Sequence, residues 1–121
     1  YVSRSRQSSR RVRNEGEVLS VAREYGFESV HPEQWSLDEQ LAVFANADAV
    51  LGPHGAGLLN SIYGDDTTLI ELFGARTNPC FFAIAEGLGM PYAMTQCEAV
   101  KEDLLVDTER LRKLLALALS D

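Results

Sequence analysis

Two periods alternate along the chain. Val18, Leu19, Val21, Ala22 and Tyr25 recur at helical spacing, and Asn14 with Glu17 three residues later has the form of a capping box ahead of them. Gly26 stops this helix, and Phe27 to His31 reads as a strand ending at Pro32. Ser36-Leu37-Asp38-Glu39 repeats the cap signature for a second helix, with Leu37, Leu41, Phe44 and Ala45 as its apolar face. Ala47 to Gly52 is a strand of small residues, running through Pro53-His54-Gly55-Ala56-Gly57 into a short helical stretch, Leu58 to Tyr63. Gly64-Asp65-Asp66 is a turn rather than a metal site, and Thr67 to Phe73 is an unbroken β-favouring run. Pro79 to Leu88, closed by Gly89, reads as a helix, Pro91 to Thr95 as the last strand, and Asp107 caps a final helix carrying Leu111, Leu114, Leu115 and Ala118. Tyr1 to Ser5 reads as a short opening strand.

Strands separated by helices imply right-handed crossovers, so the expected class is α/β, a Rossmann-like parallel sheet with helices on both faces. At 121 residues, a single domain over 1–121 is expected, and the missing initiator Met makes it a piece of a larger product. No apolar run approaches the roughly 20 residues of a membrane span. Cys80 and Cys97 lie in no CxxC and near no His pair, which points to reduced thiols rather than zinc or redox chemistry. No Asn-x-Ser/Thr sequon occurs, and a cytoplasmic location is expected.

Charge sharpens the picture. Arg4, Arg6, Arg10, Arg11 and Arg13 fall in ten residues without an acid, while the rest of the chain sets six basic residues against eighteen acids. Such a spot is either a solvated loop or a phosphate or carboxylate site, because guanidinium groups pair with oxyanions. Nucleic acid is not an expected partner, since the acidic remainder would repel a polyanion.

In open parallel sheets, ligands bind beyond the C-terminal ends of the strands. The arginine loop, the turn at residues 53–57 and Glu71 all fall at such ends. Gly55, Ala56 and Gly57 leave room for close backbone approach, and the helix after them offers free N–H groups to an anion. His54 either caps the turn or touches the ligand. Glu71, between Ile70 and Leu72, is either an acceptor for ribose hydroxyls or the ion-pair partner of an arginine.

Tyr1-Val2-Ser3-Arg4, Arg10-Arg11-Val12-Arg13-Asn14-Glu15, Glu39-Gln40, Gly52-Pro53-His54-Gly55-Ala56-Gly57-Leu58-Leu59-Asn60 and Ile70-Glu71-Leu72 together resemble the C-terminal half of glycosyltransferase family 61. The likeness covers residues 1 to about 75. It implies the donor-binding domain of a GT-B enzyme, inverting and needing no metal or other cofactor, of the kind that builds capsular or surface polysaccharide. The implied partners are a nucleotide-sugar donor, a glycan or protein acceptor, and an N-terminal domain of the same protein. By the same resemblance, Arg4, Arg10 and Arg11 look like the cationic side of the nucleotide pocket. His54 is the catalytic candidate and forms a phosphate cradle with Gly55, Ala56 and Gly57, while Asn60 and Glu71 look like polar contacts to the nucleotide. A non-catalytic nucleotide-binding module and a structural domain docking an acidic partner through its arginines are the other functional classes open to the sequence.

Overall fold

In the computed structural model, which describes residues 1–120, three parallel strands form the centre: β1 (Ala49–Pro53), β2 (Thr68–Phe73) and β3 (Tyr92–Gln96), side by side in that order. Their registers run Gly52 opposite Glu71 and Glu71 opposite Met94. The expected strands at Tyr1–Ser5 and Phe27–His31 shrink to one isolated bridge, Val2 to Val30. They still extend the sheet on the free side of β1: Val2 donates to Leu51 O at 2.8 Å, Ser3 to Val30 O at 3.0 Å and Val30 to Tyr1 O at 2.8 Å. The spatial order is therefore Val30, Val2, β1, β2, β3. The bridge and both strand pairs are parallel, as in a Rossmann-like α/β sheet.

Side chains alternate across this sheet. Leu51, Ile70 and Leu72 face α1 (Glu15–Glu24) and α4 (Thr108–Ala118), and make one core with Val18, Val21, Ala22, Leu111 and Leu115. Val50 and Leu69 face the other way. There α2 (Leu37–Ala45), a 3-10 helix (Ala56–Tyr63) and α3 (Cys80–Leu88) pack through Phe44, Leu58 and Phe81. Helices thus cover both faces, and α3 ends at Gly89 with φ of 69°.

The caps divide. Ser36 makes the expected capping box with Glu39, and Asp107 accepts from the N–H groups of Glu109 and Arg110. Asn14 stands at the start of α1 but makes no side-chain cap. Its amide instead clasps the backbone of Val106, donating to the carbonyl at 2.7 Å and accepting from the N–H at 3.0 Å.

One feature had no sequence expectation: an antiparallel hairpin of β4 (Glu98–Val100) and β5 (Asp103–Leu105). The arginine segment lies along β5 through a parallel bridge from Val12 to Leu104, so residues 10–13 are paired backbone. Cys80 and Cys97 are both free, and burial pushes the Cys97 thiol up to about 11. Among the described residues, no helix is long and apolar enough to cross a membrane.

Candidate functional site

His54 follows β1 directly, its N–H continuing the ladder to Leu72 O at 3.0 Å. In the neighbouring strand, alternation turns Glu71 away from Ile70 and Leu72 toward the α2 and α3 side, where it is fully buried. A buried carboxylate must be satisfied by donors. Glu71 Oε2 lies 2.7 Å from His54 Nδ1, and Tyr92 on β3 donates its hydroxyl to Oε1 at 2.6 Å. Burial first, and the hydrogen bond to Glu71 next, push the Tyr92 hydroxyl well above the usual phenol range, so it remains a donor. The imidazole stacks on Phe73 at 5.3 Å and meets Phe81 edge-on at 5.4 Å. In the tautomer whose Nδ1–H donates to Glu71 Oε2, Nε2 is the ring's remaining acceptor.

Glu71 has both oxygens on His54 and Tyr92 and pairs with no arginine among the described residues. It is the buried anchor of the histidine.

Arg4 reaches the glycine turn. Its Nε and Nη2 donate to Ser9 O at 3.2 and 3.1 Å. Its Nη1 lies so close over Gly55 that a Cβ added there would come within 2.5 Å of it. Burial, then the neighbouring charge of Arg10, lower its pKa, with Glu33 opposing. The N–H groups of Gly55, Ala56 and Gly57 have no acceptor among the described residues, as expected for the first turn of a helix. Arg4 Nη1 thus lies at the turn whose N–H groups, like it, have no acceptor among the described residues. Gly57 has a different reason to be glycine: its added Cβ would stand 3.0 Å from Val2 Cγ1, so the residue lets the 3-10 helix pack on the opening segment.

Two expected contacts are drawn elsewhere. Arg11 gives its N–H to Asp103 Oδ1 at 3.0 Å and lies 3.5 Å from Oδ2 through Nη2, while Arg13 Nε donates to Oδ2 at 2.8 Å. Arg11 is thus spent on fastening the arginine segment to β5. Asn60 donates to Gln40 Oε1 at 2.8 Å, and Gln40 in turn to Pro32 O at 2.8 Å, so Asn60 ties the 3-10 helix to α2.

Arg10 does face a cleft. A space of about 430 Å³ opens beyond the C-terminal ends of β1 and β2, lined by Arg10, His54, Phe73, Arg76, Lys101 and Glu102 among others. Sequence reading missed Arg76 and Lys101, single cations in separate loops that only the strand order brings together. It missed Tyr92 as well, whose sole sequence signal is a phenol in a strand beside an acid-bearing one.

Comparison with known proteins places the chain in a family. Residues 1–70 match the model of the family described as glycosyltransferase 61. The chain is also 32% identical over 96 residues to the EGF domain-specific O-linked N-acetylglucosamine transferase of Drosophila melanogaster, a match covering 76% of this chain and 18% of that protein. The matched family segment contains Arg4, Arg10, His54 and the glycine turn, and the chain belongs to glycosyltransferase family 61.

Proposed function

We propose that this chain is the sugar-nucleotide-binding part of an inverting glycosyltransferase of GT-B architecture, acting in the cytoplasm in surface polysaccharide or other glycan biosynthesis. The observation that carries the reading is the placement of Arg4 Nη1 over Gly55, beside the free N–H groups that begin the 3-10 helix. Donors arranged in this way suit a diphosphate. The name of the Drosophila relative describes transfer of N-acetylglucosamine to protein, which is in keeping with a nucleoside diphosphate sugar as donor and a glycan or protein as acceptor.

In the proposed reaction, an acceptor hydroxyl attacks the anomeric carbon, the bond from that carbon to the phosphate oxygen breaks, and the nucleoside diphosphate departs. Arg4 and the N–H groups of residues 55–57 stabilise the negative charge of the leaving group, which removes the need for a divalent ion. His54, held at Nδ1 by Glu71, directs Nε2 to the leaving phosphate and, as the imidazolium with protons on both ring nitrogens, donates a hydrogen bond or the proton itself to the departing oxygen. The proton of the acceptor hydroxyl goes to a base supplied by the rest of the enzyme.

Titration calorimetry with a panel of nucleoside diphosphates tests the reading. Dissociation constants of about micromolar to millimolar are expected, roughly −8 to −4 kcal/mol, unchanged by EDTA. Arg4→Ala should weaken diphosphate binding about tenfold while sparing the weak binding of the nucleoside. Silence with every nucleotide at millimolar concentration, or an absolute need for magnesium or manganese, would overturn it.

A further inference from the structure

We propose that the cleft beyond the ends of β1 and β2 is a second oxyanion subsite, in which Arg10, Arg76 and Lys101 take the distal phosphate of a nucleoside diphosphate. This rests on the reading above and extends it to Arg76 and Lys101. The first support is location, since the crevice beyond the C-terminal strand ends is where open parallel sheets bind ligands. Arg10 comes from the arginine segment, Arg76 from the loop after β2 and Lys101 from the turn between β4 and β5. Three cations and a single acid, Glu102, thus surround a space that His54 also lines, in a protein that is otherwise strongly acidic.

The second support is the backbone. Arg10 and Lys101 both adopt left-handed conformations, with φ of 55° and 58°, which residues bearing a Cβ seldom do. Of the three non-glycine residues with positive φ among the described residues, two line this one cleft. Neither is relieved by glycine, and the conformations are locked in place where Arg10 N–H donates to Glu102 O at 2.9 Å. Such unfavourable backbone concentrates at binding sites, held there by the surrounding structure. Here it fixes the points from which two cationic side chains leave the chain.

The chemistry assigns different work to the two anion sites, of which the cleft is lined by His54 and the cradle begins at the residue after it. The cradle of Arg4 and the N–H groups of residues 55–57 holds one phosphate, and the cleft holds the second. Arg76 and Lys101 are exposed and in no ion pair among the described residues, so their charges are free for a ligand.

The test is titration of the chain and of Arg76→Ala, Lys101→Ala and the double variant with a nucleoside monophosphate, the matching diphosphate and inorganic pyrophosphate. Arg23→Ala, on the exposed side of α1, serves as the charge control, and circular dichroism verifies folding. The double variant should lose at least tenfold in the ratio of diphosphate to monophosphate affinity, with monophosphate binding nearly unchanged. Arg4→Ala should weaken both nucleotides. An unchanged ratio, or an equal fall with Arg23→Ala, overturns the subsite. If the wild-type chain binds neither nucleotide, the donor-binding reading fails, and pyrophosphate then decides the cleft by itself: binding weakened tenfold in the double variant upholds it, and no binding sinks it.

Discussion

Replacing Tyr92 with Phe removes the hydroxyl that donates to Glu71 Oε1 and leaves one oxygen of a fully buried carboxylate without its donor. The expected loss is about 1–3 kcal/mol, the cost of an orphaned buried acceptor, read as a lower urea midpoint at constant slope. A loss below about 0.5 kcal/mol would mean that water reaches that oxygen and the phenol is dispensable. Glu71→Gln should keep the fold better than Glu71→Ala, because the amide oxygen still accepts from His54 Nδ1. Nitrogen chemical shifts of the ring should nonetheless reveal a less firmly held Nδ1 proton. The sequence made Glu71 conspicuous, an acid in an apolar strand, and could not say what it faced. That depended on Tyr92, twenty-one positions away and brought near by a strand register that no local pattern encodes. Arg4 was legible for a simpler reason, since five arginines within ten residues and a glycine turn at a strand end are both local signals.

At the scale of elements, two residues at helix starts separate a cap from a clamp. Ser36→Ala removes only the capping box of α2 and should cost about 1 kcal/mol. Asn14→Ala removes two hydrogen bonds to the backbone of Val106, joining α1 to the segment ahead of α4, and should cost about twice as much. Equal costs in thermal or urea unfolding would show that the clamp contributes no more than an ordinary cap. The four α-helices were legible because each combines an apolar stripe with a stop or start residue. The segments 1–5 and 27–31 were over-read: their apolar content is right for strands, yet each finds too few partners to form more than a bridge. The hairpin of β4 and β5 escaped notice because its turn has no Gly or Asn, Lys101 taking the left-handed conformation instead.

Asp103 connects these pieces across the whole molecule. One nearly buried carboxylate fastens the arginine segment to the hairpin, and with it the Arg10 side of the cleft. The Arg11 N–H and then the Arg13 side chain hold its pKa below the ordinary carboxylate value, against the opposing effect of burial. A carboxyl group with a lower pKa in the folded chain binds its proton more readily when unfolded, so its contribution rises with pH across that interval. The contribution is complete above the unfolded value of about 4 and is lost as pH falls through the folded one. Asp103→Asn mimics the protonated group at every pH. Urea midpoints should therefore place the variant below the wild type by a constant margin between about pH 5 and 8, and the margin should shrink below about pH 4. All other carboxylates are common to both proteins and cancel in the comparison. A margin that stays fixed down to pH 2, or widens in acid, would mean that the charge on Asp103 does not hold the segment, leaving its hydrogen-bond geometry alone to fasten residues 10–13 to β5.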